Sequence, residues 1–283
     1  MRAQFLGTAA AEGYPDAFCG CTNCRRAREV GGPSLRKRSA LLLDDALLID
    51  LGPNVLTAAY LHAAPLDRLR YCLQTHEHAD HLHPALFLAR SPFCGVHDAP
   101  QLQYYATRGA LDTALSGLGR HGASFNDTGV SEALNLAVHV IEPCQSFAVG
   151  PYRVTSLRAA HDPQAIVALL YLIERDGRSL FYATDTGPLP EATWTALGAW
   201  GGSLDVVIMD HTFGLGQPST GHLNAAQFLA QIARLREGDL LAEDARIYAH
   251  HIAHHSNPIH PELVEFAALS GYLVAHDGLS ITI

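Results

Sequence analysis

The sequence predicts an α/β (α+β) fold in one domain over residues 1–283, with two β-sheets and helices outside them. Three observations predict it. Strand-like runs recur in both halves of the chain and alternate with helical patterns. No Pro-, Gly- or charge-rich stretch reads as a linker, and no fixed-period repeat divides the chain. His and Asp side chains gather where strands end, a common place for a site in such proteins. The hydrophobic content of 48% is ample for one large core.

The elements follow in order. Residues 2–6 read as a strand closed by Gly7. Residues 39–43 and 46–51 read as two strands joined at Asp44-Asp45, a hairpin turn signal. A helix is expected over 53–61 and a buried strand over 69–74. Residues 84–88 start a helix, 93–97 read as a short strand and 98–118 as helix. The Gly-, Asn- and Asp-rich stretch 119–130 reads as a loop. Strands are expected at 137–141, 152–157, 165–173 and 179–183, with Asp176-Gly177 turning the last two. Then come a helix at 188–197, a buried strand at 204–209 and an amphipathic helix at 223–235, capped by the Gly221-His222 turn. A strand at 246–249 and a helix at 261–269 complete the chain.

Composition narrows the function classes. The net charge of −9 does not indicate general nucleic-acid affinity. No apolar run reaches the roughly 18–20 residues that span a bilayer, and no signal-peptide core is evident. The expectation is a cytoplasmic protein whose six cysteines are metal ligands or free thiols.

The chemistry concentrates in Thr75-His76-Glu77-His78-Ala79-Asp80-His81. In an extended segment His76 and His78 point the same way and can grip one ion. Asp80 and His81 follow where the chain turns and can face a second. Imidazole with carboxylate suits zinc, manganese or iron. Asp50 is placed to orient one of these imidazoles from beneath. Cys19, Cys21 and Cys24 form a C-x-C-x-x-C cluster that can hold one zinc, given a fourth ligand from elsewhere; a redox pair is the rival reading. A basic run follows, with Arg25, Arg26, Arg28, Arg36, Lys37 and Arg38, readable as a solvated segment or as a rim attracting an anion. His161, Asp185, His211 and the cluster from His250 to His255 each follow a strand. A lone His in such a place is more often structural than ligating.

Thr-His-x-His-x-Asp-His resembles the signature of the metallo-β-lactamase superfamily. Phe5-Leu6-Gly7-Thr8, the cysteine motif, Arg38-Ser39, Asp50-Leu51-Gly52 and His251-x-x-His254 make the chain look like the PhnP-type phosphodiesterases, relatives of tRNA-processing ribonuclease Z. The resemblance implies a four-layer αββα sandwich with a cysteine-rich zinc-binding loop at about 13–38. It implies two divalent ions, zinc or manganese, at the active site. His76, His78 and His161 would hold the first, Asp80, His81 and His251 the second, and Asp185 would bridge. It also implies one structural zinc on Cys19, Cys21, Cys24 and His254. The catalytic residues it implies are Asp80, through its hold on the second ion, and His222, matching a mobile His that contacts substrate phosphate and protonates the leaving group. The chain departs from the family pattern at Ala253, where a Ser is common, and His250 and His255 leave the register of that cluster open.

The function expected is hydrolysis of a small or cyclic phosphodiester by a hydroxide bridging two metals. Bulk nucleic acid and membranes are not expected partners; a homodimer is compatible. A lactonase or thioesterase on the same scaffold is the alternative, since a metal hydroxide also attacks carbonyls. A non-hydrolytic relative resembling the accessory protein of pyrroloquinoline quinone synthesis is the other.

Overall fold

The computed structural model describes residues 1–120, 124–125 and 128–283. In the first half lie β1 (Arg2–Gly7), β2 (Ala40–Leu43), β3 (Leu47–Ile49), β4 (Tyr71–Leu73), β5 (Leu102–Ala106) and β6 (Leu136–Val140). In the second lie β7 (Ser146–Val149), β8 (Tyr152–Arg158), β9 (Leu169–Arg175), β10 (Arg178–Ala183), β11 (Leu204–Asp210), β12 (Leu241–His250) and β13 (Leu273–Val274). The last strand, β14 (Ser280–Thr282), returns to the first half and pairs antiparallel with β1. The two sheets run β14-β1-β2-β3-β4-β5-β6 and β13-β12-β11-β10-β9-β8-β7.

Each sheet is antiparallel at one end and parallel at the other. Hairpins join β2 to β3 and β9 to β10, at the Asp44-Asp45 and Asp176-Gly177 turns expected from sequence. From β3 to β6, and from β10 to β13, neighbours are parallel. Parallel neighbours need crossover connections, which helices supply. The described residues hold α1 (Thr22–Val30), α2 (Val55–His62), α3 (Ala85–Ala89), α4 (Arg108–Gly117), α5 (Thr128–Ala133), α6 (Glu191–Trp200), α7 (Ala225–Glu237) and α8 (His260–Leu269). None is long and apolar enough to cross a membrane.

Alternation along the strands builds three packed layers. On β10, Leu180 and Tyr182 join Phe5, Leu41, Ile173 and Ile208 between the sheets. Phe181 and Ala183 face the other way, onto Leu197, Phe228 and Leu263 of α6, α7 and α8. On the opposite face Leu42, Leu48 and Cys72 meet Val55, Phe87 and Leu111 of α2, α3 and α4. Central strands are therefore apolar on both faces and read as unbroken hydrophobic runs. Each fully buried Leu, Ile or Phe contributes on the order of 2 kcal/mol. The result is the expected αββα sandwich.

Some elements differ from expectation. Residues 93–97 are not a strand; Pro92–Cys94 is one 3-10 turn. The helix expected over 98–118 is instead β5 followed by α4. Leu102-Gln-Tyr-Tyr-Ala pairs on both sides, with β4 and β6, and that pairing overrides the local helical pattern. Thr107 marks the true helix start, its Oγ1 accepting from the Ala110 amide. Five residues of the expected 119–130 loop (121–123, 126–127) lie outside the described residues, and α5 begins within the remainder. α7 is capped by Asn224 and Gln227 in a reciprocal capping box rather than by Gly221-His222. The strand β7 and the short strands β13 and β14 were not anticipated.

The carboxyl ends of β3, β4, β10, β11 and β12 fall at one edge of the sandwich, where Asp50, His76, Asp185, Asp210 and His251 are met. Close backbone approach fixes that edge: a Cβ on Gly52 would lie 2.5 Å from the Asp80 carbonyl oxygen. Gly52→Ala is expected to destabilise the metal-free protein by about 1–3 kcal/mol, the usual cost of overpacking. Thermal melting checks this; an unchanged Tm would show that the two segments separate at no cost.

Candidate metal centre

The first sheet supplies a bed of aimed imidazoles. Asp50, fully buried just after β3, accepts from the Thr75 amide at 2.8 Å, from Thr75 Oγ1 and from Gln74 Nε2. His81 Nδ1 lies 2.7 Å from Asp50 Oδ2, and a carboxylate can only accept, so Nδ1 carries the proton. Thr75 Oγ1 gives its proton to Asp50 and so accepts from His76 Nδ1 at 2.9 Å. His161 Nδ1 donates to the Gly221 carbonyl at 3.2 Å. In each ring a proton is pinned on Nδ1 and Nε2 is turned toward the site, where His161 Nε2 lies 3.1 Å from His78 Nδ1.

Ring nitrogens and carboxylate oxygens converge in two groups. Ligand atoms of His76, His78 and His161 lie within 4.8 Å of one another, as do those of Asp80, His81, Asp185 and His251. Asp185 faces both groups: Oδ2 is 3.0 Å from His81 Nε2, and Oδ1 is 3.1 Å from His251 Nε2 and 3.9 Å from His161 Nε2. The Nε2 atoms of His76, His81 and His251, with Asp185 Oδ2, are buried without hydrogen-bond partners among the described residues. Buried polar atoms are rarely left so. Nitrogen and oxygen donors aimed at common points fit divalent cations.

The electrostatics agree. Burial works against charge on Asp185, but His251 and His81 hold its carboxyl well below the usual range. Burial likewise opposes charge on Asp80, and His81 and His251 outweigh it. Burial drives His76 well below the ordinary imidazole value, so it presents a neutral ring. Asp185 and Asp80 are thus held as carboxylates and His76 as a neutral ring, the forms that ligate. Burial opposes charge on His81, but Asp185 and Asp80 beside it lift it well above the ordinary imidazole value, so a metal ion bound there would displace a proton.

The second sheet contributes a matching support absent from the sequence reading. Asp210, fully buried at the end of β11, accepts from the amides of Thr212 and Leu223 and from Thr212 Oγ1, each at 3.0 Å. Thr212 Oγ1 in turn accepts from His251 Nδ1 at 2.8 Å, completing the Nδ1-protonated set. His222 Nδ1 sits 2.8 Å from Asp210 Oδ2. Its ring stacks on His251 at 5.5 Å and meets His161 edge-on at 4.7 Å. Burial lowers the affinity of His222 for a proton, but Asp210 overrides it and lifts the pKa to about 9. The available signal was an Asp closing a buried strand and a Thr two residues on.

A second cluster lies at the cysteine loop. Ligand atoms of Cys19, Cys21, Cys24 and His254 fall within 4.8 Å of one another. Cys21 is the N-cap of α1, its sulfur accepting from the Cys24 amide at 3.4 Å, and His254 Nδ1 lies 3.6 Å away. Burial opposes ionisation, but the Cys24 amide and His254 bring Cys21 down to about 6. Among the described residues all cysteines are free.

Other singled-out residues have structural places. Arg36 is buried, bonded to Thr8, the Ala275 carbonyl and His260. Lys37 pairs with Asp277, Arg26 with Glu262, and Arg38 reaches Ala11 and Asn54, so internal bonds engage much of the basic run. His250 is buried and donates from Nε2 to the Gly7 carbonyl at 3.1 Å, which assigns the site position to His251. His255 is exposed beside Ser256. His211 is buried between Asn257 and Tyr272, at 3.0 Å from each.

Residues 46–252 match the Beta-lactamase superfamily domain. The chain belongs to the β-lactamase superfamily. The superfamily's fold implies divalent metals at this edge. Coenzyme PQQ synthesis protein B of Cupriavidus necator is 28% identical over 99% of both chains. Among solved structures, a diphosphatase from the PhnP family superposes with a TM-score of 0.75 at 19% identity, covering 100% of this chain and 97% of that one. Zinc-bound PqqB from Methylobacterium extorquens gives 0.72 at 21% identity, with both chains fully covered.

Asp50→Ala removes the acceptor that fixes His81 and Thr75, and is expected to weaken metal binding roughly 10–100-fold, read by competition with a chelating dye. His211 yields a pH prediction. Burial holds its pKa at about 4. The unfolded chain takes up a proton there below about 6.5, so stability present above that pH is lost as pH falls toward 4, by about 2 kcal/mol at pH 5. Urea unfolding between pH 7.5 and 5 is expected to show a shallower loss in His211→Gln than in the wild type. Equal slopes would remove His211 from the acid response.

Proposed function

We propose that the chain is a dinuclear metal-dependent hydrolase that cleaves a small or cyclic phosphodiester. The observation that carries this reading is the pair of adjacent donor clusters with Asp185 facing both and His222 lying across them. His76, His78 and His161 would hold one ion and Asp80, His81 and His251 the other. Bound divalent ions supply Lewis acidity and a water acidic enough to act near neutral pH. The chain's own residues do the remaining work. Asp50, Thr75 and Thr212 keep the imidazoles aimed, so little reorganisation accompanies the reaction. Asp80 balances charge at the second cluster. His222, hung on Asp210, is held where a substrate oxygen entering between His161 and His251 would receive its hydrogen bond, and where a departing alkoxide would take its proton.

Several features favour phosphodiesters over lactones or thioesters. The likeness to a PhnP-family diphosphatase spans the whole chain. Three cysteines converge with His254 as a structural zinc site would require, and His254 sits three residues from His251 on one loop. A second reading is a role in coenzyme PQQ synthesis, favoured by the end-to-end match to the Cupriavidus protein.

The test is release of nitrophenol from bis(p-nitrophenyl) phosphate by protein reloaded with zinc or manganese, beside a chelator-treated control. Metal-dependent release is expected. No release from protein shown to hold its metals moves the weight to the second reading. His222→Ala is expected to lower turnover by roughly 10²–10⁴-fold with metal content unchanged; unaltered kinetics would remove its catalytic role.

A further inference from the structure

A cavity of about 270 Å³ lies beside the candidate centre, walled by Glu77, Arg108, Glu142, Arg158, Pro163 and Ile166. Glu77 stands between His76 and His78 in the chain, and Arg158 and Pro163 bracket His161. Cavity and first donor cluster are thus built on the same two backbone segments. We propose that this cavity is a subsite for a second anionic group of the substrate, at the end remote from the bond that is cut. The proposal rests on the phosphodiesterase reading and names what distinguishes the substrate within that class.

The first argument is the state of its arginines. In this acidic chain guanidinium groups are mostly engaged: Arg2 with Asp45, Arg175 with Asp44, Arg178 with Asp205, Arg234 with Glu191. Among the described residues neither Arg108 nor Arg158 has a side-chain hydrogen bond or ion pair. Both line one cavity. Arg158 is half-buried at the end of β8; its carbonyl accepts from Thr193, while its guanidinium is left over. A partly desolvated, unpaired cation costs stability, and an anionic ligand would recover it.

The second argument is the position of Arg108. It is the first residue of α4. A cation there opposes the helix dipole by about 0.3–1 kcal/mol, so helix stability gives no reason for it. Its side chain is exposed and lines the cavity, free to meet a ligand there.

The carboxylates refine the chemistry. Glu77 Oε2 is buried without a partner among the described residues. Gly109, on α4, leaves the room Glu77 needs, since a Cβ there would lie 2.4 Å from its Oε1. The wall thus offers two donors of fixed charge and two carboxylate acceptors, the buried Glu77 oxygen and the exposed Glu142. It fits a carboxylate or phosphate with an N–H or O–H donor next to it, such as the carboxylate and ammonium of an amino-acid head group, better than a bare anion. The apolar side chains of Pro163 and Ile166 complete the wall against the body of such a ligand.

The test compares two phosphodiesters that differ by one carboxylate: sn-glycero-3-phosphoserine and sn-glycero-3-phosphoethanolamine. With metal-loaded wild type, kcat/KM for the serine diester is expected to exceed that for the ethanolamine diester by roughly tenfold, the size of one charge-assisted contact. In Arg158→Gln, and further in the double variant with Arg108→Gln, the ratio is expected to fall toward one. Metal content and melting temperature serve as folding controls. Calorimetric binding of sn-glycero-3-phosphoserine is measured alongside and requires no turnover. If bis(p-nitrophenyl) phosphate is cleaved but the wild type treats the two diesters alike, or the preference survives loss of both arginines, the subsite is overturned and the phosphodiesterase reading stands. If no diester is cleaved but the serine diester binds in an arginine-dependent way, the subsite stands and that reading falls. Neither cleavage nor arginine-dependent binding overturns both.

Discussion

Two fully buried carboxylates, one from each sheet, organise this molecule. Asp50 ends β3 and Asp210 ends β11. An ionised carboxylate is expensive to bury unless every lone pair is met, and both are ringed by donors. Those donors are the amides, hydroxyls and imidazoles of the loops that carry the candidate ligands. Satisfying the two carboxylates therefore sets the tautomer and aim of His81 directly, of His76 through Thr75, and of His251 through Thr212. Each sheet orients its own share of the centre, and the cluster forms where the two shares meet.

This arrangement holds strain. Asp50, Asp185 and His251 all have left-handed backbone, with φ of 69°, 55° and 58°. Such conformations cost a non-glycine residue on the order of 1 kcal/mol and persist where the surroundings over-determine them. All three sit where a parallel strand gives way to a site loop. The reversal there turns the side chain back across the end of the sheet, and the carboxylate and imidazole contacts hold it.

The cysteine cluster belongs to the same mechanical unit. Ala9 bridges both Arg38 and Ile252, so the segment leading to the cysteines is tied beside His251. His251 faces the candidate centre and His254 the cysteines, three residues apart. Displacement at one cluster must pass to the other through a single short loop whose Ile252 and Ala253 are fully buried. The cavity lined by Arg108 and Arg158 is built on the segments of Glu77 and His161, and gives them a charge character that the ligands alone do not.

Much was legible in the residues themselves. Tight spacing in His-x-His-x-Asp-His and C-x-C-x-x-C is chemically coherent within one loop, because ligand type and separation along a short segment already fix what can be bound. Strand alternation and turn residues such as Asp44-Asp45 gave the layers and hairpins, since they act over a few bonds. What the chain alone could not decide was everything set by pairing across the fold. β5 is a strand because β4 and β6 flank it, not because of its own pattern. His251 rather than His250 faces the site because His250 is taken by the Gly7 carbonyl, two hundred and forty-three positions away. Asp210 and Thr212 carry no motif and gain their role only when β11 and β12 lie side by side. The unpaired state of Arg108 and Arg158 is likewise a property of neighbours. Sequence determined which donors exist and how they are grouped; tertiary structure decided which lone pairs are left free, because hydrogen bonds between distant segments consume the others.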